Sequence, residues 1–72
     1  MTYTLADIAD KGLVYLRDGR IVWETTLLGS GWTHGTIDRL CGIVADNTIE
    51  DTDGERIDWP AVEREWDERD KV

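Results

Sequence analysis

Residues 13–25 read Leu13-Val-Tyr-Leu-Arg-Asp-Gly-Arg-Ile-Val-Trp-Glu-Thr25, and no other stretch of the chain comes as close to dictating its own structure. Two runs rich in β-branched and aromatic residues flank Asp18-Gly19. Glycine accepts a positive φ without steric cost, so Asp-Gly between such runs reads as a β-hairpin. Two registers are open. A two-residue type I′ loop pairs Leu16 with Ile21 and Val14 with Trp23, whereas a three-residue loop with Gly19 as a G1 bulge pairs Tyr15 with Ile21 and Leu13 with Trp23. The bulged register is the expectation. It gathers Leu13, Tyr15, Ile21 and Trp23 on one face as a core-grade patch and leaves Val14, Leu16, Arg20 and Val22 on a mixed one.

Working outward, Thr4-Leu5-Ala6-Asp7 places a hydroxyl residue before an apolar start with an acid three positions on, a looser capping box. Gly12 stands where a helix would end, so the spacing predicts a short helix over about 5–11 with Leu5, Ile8 and Ala9 on its apolar stripe. Thr-Leu-Ala-Asp-Ile-Ala is similar to the opening helix of helix-turn-helix repressors. That motif needs a second helix after a short turn, and here a strand begins at Leu13.

Downstream of the hairpin, Leu27-Leu28 leads into Gly29-Ser30-Gly31-Trp32-Thr33-His34-Gly35, which is read as a flexible connector. Its Trp32 either folds back on the hairpin's apolar face or is offered to a partner. Ile37, Leu40, Cys41 and Val44 then fall at i, i+3, i+4 and i+7, a helical apolar face, with Thr33 or Thr36 as cap and Asp46-Asn47 as stop. Gly42 weakens that helix, and Cys41-Gly42-Ile43-Val44-Ala45 as a buried strand is the alternative.

A second hairpin is predicted over 48–59 with Asp53-Gly54 at its centre, a bulged turn pairing Ile49 with Ile57 and Glu50 with Arg56. Asp58 as cap and Pro60 in the first turn then open a last helix, with Trp59, Val62 and Trp66 as a narrow stripe. Its other faces are charged, and Glu65 with Arg69 and Asp67 with Lys71 are favourably ordered i,i+4 pairs. The fold class expected is α+β: helix, hairpin, helix, hairpin, helix, with an antiparallel sheet of three or four strands and the helices on one face.

Seventy-two residues suffice for one small domain, 1–72, near the size at which a single core contributes only ~3 to 5 kcal/mol. Four Trp and two Tyr supply much buried area, and they are also residue types enriched at binding hot spots. One cysteine excludes an internal disulfide. The opening residues lack the basic and apolar segments of a secretory signal, and no apolar run approaches membrane-spanning length, so a cytoplasmic location is expected.

The net charge is −8, and it is polarised. Residues 1–45 carry five acids against four bases; residues 46–72 carry 11 against 4. Such a field repels nucleic acid and membranes and attracts basic surfaces. Size and charge are similar to those of acidic nucleic-acid mimics and small phage-encoded inhibitors, without a shared motif.

Motifs for chemistry fail on inspection. The glycine loop has His34 where the dinucleotide fingerprint needs its third glycine, and it lacks Gly-Lys-Ser/Thr. Ser30, His34 and Asp38 supply the residue types of a hydrolase triad, but Ser30 sits in a glycine loop of a domain too small to exclude water. Cys41 on the apolar stripe reads as a small core residue. Aligned on Gly54, a calcium loop would begin at Ile49 and end at Pro60, so both essential carboxylates are missing. One His and one Cys make a structural zinc site improbable. No cofactor, metal site or catalytic residue is therefore expected.

The function expected is a non-enzymatic acidic protein-binding module or inhibitor that docks on a basic surface, such as the nucleic-acid groove of a nuclease or repressor. The partner-binding residues are Trp32, Glu50, Asp51, Asp53, Glu55, Glu63, Trp66, Asp67 and Asp70. Direct binding of nucleic acid or membrane is not expected. The alternative is a small homo-oligomeric accessory subunit, a homodimer for instance, in which the acid maintains solubility or reflects a salt-adapted host.

Overall fold

The computed structural model describes residues 2–52 and 54–70, the side chains of 69 and 70 excepted. In chain order it holds α1 (Leu5–Lys11), β1 (Val14–Arg17), β2 (Arg20–Trp23), a 3-10 helix (Thr25–Gly29), α2 (His34–Asp46), β3 (Thr48–Asp51), β4 (Gly54–Ile57) and α3 (Trp59–Asp70). This is an α+β fold. Its four strands form two separate two-stranded antiparallel sheets, β1–β2 and β3–β4, not the single sheet of three or four strands expected. A cleft of about 350 Å³, lined by Val14, Tyr15, Leu16, Glu55, Arg56 and Ile57 among others, opens where β1 approaches β4.

The first hairpin corrects the bulged register. Val14 pairs with Trp23, Tyr15 with Val22, Leu16 with Ile21 and Arg17 with Arg20, so the loop is the two-residue one. Asp18 (φ 52°) and Gly19 (φ 76°) are both left-handed, as a type I′ turn requires, and Asp is among the few non-glycine residues that tolerate it. Val14 is buried, and Ile21 and Trp23 pack half-buried against the core. Leu13 also reaches the core, but as the joint with α1. Its N–H donates to the Ile8 carbonyl (3.0 Å) and its carbonyl accepts from Glu24 N–H (2.8 Å).

The second hairpin also departs from the bulged register expected, but in the opposite direction along the chain. Ile49 pairs with Arg56 and Glu50 with Glu55, replacing the expected Ile49–Ile57 and Glu50–Arg56 pairs. Asp51 pairs with Gly54 (φ 109°), which belongs to β4 rather than to the turn; Asp53 lies outside the described residues. The physical reason lies at the base. Asn47 ends α2 and Asp58 stands before α3; the Asp58 N–H donates to the Asn47 carbonyl at 2.9 Å, so the two helix ends fix which residues face each other.

The helices follow the local signals. Thr4 N–H donates to Asp7 Oδ2 (3.0 Å) and Asp7 N–H to Thr4 Oγ1 (3.2 Å), a complete capping box, and Gly12 closes α1. Thr33 and Thr36 form the corresponding box on α2. Residues 40–45 are helical, which removes the strand alternative. Asp58 Oδ1 accepts from Ala61 N–H at 3.4 Å at the start of α3. Its Glu65–Arg69 and Asp67–Lys71 pairs lie outside the described residues. Between α1, the first hairpin, α2 and α3 sits the core: Ile8, Val14, Leu27, Trp32, Ile37, Leu40, Ile43, Val44 and Val62.

Candidate acidic docking surface

Glu50 and Glu55 owe their juxtaposition to the shifted register. Like charges directly opposite in an antiparallel pair repel, and neither residue has a cation within ion-pair distance among the described residues. The Glu55 carboxyl is held above the ordinary glutamate range, first by a hydrogen bond with Glu50 that favours the protonated form, then by desolvation and by the Glu50 charge. Asp51 Oδ2, by contrast, accepts from Arg56 Nη1 at 3.1 Å, an exposed pair of modest worth.

Beside this pair a groove of about 310 Å³ runs between the hairpins, lined by Leu16, Gly19, Ile21, Ala45, Thr48, Glu50 and Glu55. Five of these seven, all but the two carboxylates, are absent from the sequence-derived site. They come from β1, the first turn, β2, α2 and β3, so no single stretch could have signalled them.

On α3 the expected residues divide. Asp67 is exposed and Glu63 half-buried, while the side chain of Asp70, like the whole of Asp53, lies outside the described residues. Trp66 is half-buried: its ring lies 5.4 Å from that of Trp32, tilted by 40°, and the Arg39 guanidinium carbon sits 4.5 Å above it. Such a cation over an indole face is an attractive contact within the chain. Trp32 is only 9 % exposed, and its Nε1–H donates to the Tyr3 carbonyl at 2.9 Å. The structure thus makes Trp32 a core residue whose polar edge is already satisfied. Only a fringe of it reaches a shallow pocket with Thr2, Tyr3, Gly31, Thr36 and Trp66.

Glu65 has a part that sequence reading missed. Its Oε2 accepts from Asn47 Nδ2 at 2.8 Å, and the same amide donates to the Ile43 carbonyl at 2.9 Å, so one side chain ties the end of α2 to α3. The stretch 29–35 read as a connector is shorter than expected: a 3-10 helix runs into it as far as Gly29, and His34 and Gly35 already belong to α2. Thr25–Gly29 wind into the 3-10 helix, which buries Leu27, and Ser30 Oγ donates to the Thr26 carbonyl at 2.9 Å. The His34 ring meets Trp23 edge-on at 5.9 Å. Cys41 is half-buried, and burial, with the Asp38 charge, pushes its thiol above the ordinary value, away from a reactive thiolate.

Among the described residues no group of three or more His, Cys, Asp or Glu side chains is placed to hold a metal ion. Among the described residues no helix is long and apolar enough to cross a membrane. The chain matches no family model, no curated protein and no solved structure.

Proposed function

We propose that the protein is a non-enzymatic binding module or inhibitor that docks its acidic C-terminal third on a basic protein surface of the kind that nucleic-acid-binding proteins present. The observation that carries this reading is the segregation of charge onto consecutive elements. Residues 46–72 hold 11 acids against 4 bases, and the described residues from Thr48 onward form the β3–β4 hairpin and α3, with Asp58 between them. Glu50, Asp51, Glu55, Asp67 and Glu68 are exposed there. Carboxylates carried on a rigid hairpin and helix present negative charge at fixed positions, as a phosphate backbone does, and steer association with a basic patch.

The oligomeric alternative finds less support. Among the described residues Leu28, at 40 % exposure, is the only large exposed hydrophobic, which leaves little apolar surface for self-association.

Salt separates the two. Exposed charges are screened beyond ~8 Å at physiological ionic strength. Proteins captured from a lysate at low salt should be basic, and they should be released both by raised salt and by added double-stranded DNA. Capture that survives molar salt and ignores DNA would reverse the conclusion in favour of an apolar contact.

A further inference from the structure

The groove between the hairpins has an apolar wall and an anionic rim. Leu16, Ile21 and Ala45 form the wall; Glu50 and Glu55, opposed across β3–β4, form the rim. The first turn borders the rim: a Cβ built on Gly19 would lie 3.8 Å from Glu55 Oε2, at ordinary contact distance. At about 310 Å³ the groove is at the lower end of the ~300 to 1,000 Å³ range of ligand sites. A single side chain suits it better than a cofactor, and the two carboxylates repel any phosphate-bearing ligand.

We infer that this groove receives one arginine side chain of the partner protein, its methylene stem against Leu16, Ile21 and Ala45 and its guanidinium bridging Glu50 and Glu55. This rests on the docking role proposed above and names the contact at its centre. Arginine fits better than lysine for two reasons. Its planar fork of five donors can serve two carboxylates at once, and its guanidinium is more weakly hydrated than an ammonium, so it enters a partly apolar groove more readily. A guanidinium between them would also relieve the repulsion that now raises the affinity of Glu55 for a proton.

The probe is N-acetyl-arginine amide, titrated into the ¹⁵N-labelled protein, with N-acetyl-lysine amide and the neutral isostere N-acetyl-citrulline amide as controls. Saturable shifts are expected at the amides of Gly19, Ile21, Thr48, Glu50 and Glu55, absent with citrulline and weaker with lysine. Glu50→Gln and Glu55→Gln should each weaken binding about tenfold, the loss of a charge-assisted hydrogen bond, whereas Glu68→Gln should not. Both variants alter exposed side chains, and an unchanged amide spectrum elsewhere shows that the fold is intact. Shifts spread evenly over α3 and both hairpins, equal response to citrulline, or lysine matching arginine would each overturn the inference. If the groove is silent while capture of basic proteins remains salt-sensitive, the groove assignment falls and the docking role stands. Loss of salt-sensitive capture in the unaltered protein instead removes the docking role itself.

Discussion

Glu55 and Asp7 titrate in opposite directions, and the fold explains both. The Glu55 carboxyl, hydrogen-bonded to Glu50 across the β3–β4 ladder, binds its proton more tightly in the folded chain than in the unfolded one. Protonation therefore adds stability as pH falls through the raised value towards the ordinary glutamate value, and at neutral pH the charged pair costs stability. Asp7 is the reverse. Its carboxylate accepts the Thr4 backbone N–H and sits in the α1 capping box, which lowers its proton affinity below the usual aspartate range. Its contribution is complete above the ordinary aspartate value and disappears as pH falls through the depressed one. Thermal unfolding against pH should show a small rise in mildly acidic solution followed by a fall. Glu55→Gln should melt higher than the unaltered protein at pH 7 and lose the rise. A variant that melts lower there would mean that Glu50 and Glu55 do not repel. The capping box itself was legible in Thr4-Leu5-Ala6-Asp7, because its bonds span three residues. The carboxyl pair was not, because it depends on which residue of β4 meets which residue of β3.

At the scale of the element, hairpins were readable and their registers were not. Asp18-Gly19 announces a turn, but both loop types use a left-handed Gly19, and counting large residues per face favoured the bulged one. That count assumed that Leu13 and Tyr15 share a buried face. In the structure Leu13 is held at the α1–β1 joint, and Tyr15 pairs with Val22 on the other face from Val14, Leu16, Ile21 and Trp23. The observed turn is open to test. Gly19→Val should destabilise the protein by at least ~1 to 2 kcal/mol, the cost of a left-handed L residue, and by more for a β-branched one. That corresponds to a fall in Tm of roughly 4 to 8 °C per kcal/mol for a domain of this size. Asp18→Asn should hold or raise Tm, since Asn favours the left-handed region that Asp18 already occupies at φ 52°. A marked fall for Asp18→Asn would contradict the type I′ turn.

For the whole molecule the controlling quantity is the separation of charge between its two parts. Reversing Asp67 and Glu68, both exposed on α3, should slow association with a basic partner while leaving the melting curve little changed, because exposed charges contribute little to stability. The proper control is Asp10 with Asp38, exposed on the near-neutral part; Asp7 is unsuitable because its reversal would break the α1 cap. Equal slowing by both pairs of reversals, read as association rates at low salt, would reduce the acidic surface to a solubilising coat.

Composition and short-range pattern determined the α+β class, the three helices with their caps, the existence of both hairpins and the polarity of charge. Each of these is settled within a window of a few residues or by simple counting. Only tertiary structure decided the rest. Trp32, ambiguous between glycines, is drawn into the core by the Tyr3 carbonyl and the Trp66 ring, partners 29 and 34 positions away. The ends of α2 and α3 set the second register, and that register placed Glu50 against Glu55. The groove beside them is lined from both hairpins and the end of α2. Side chains far apart in sequence meet only when helices pack on strands, and that packing follows from burial of the whole core, which no local stretch encodes.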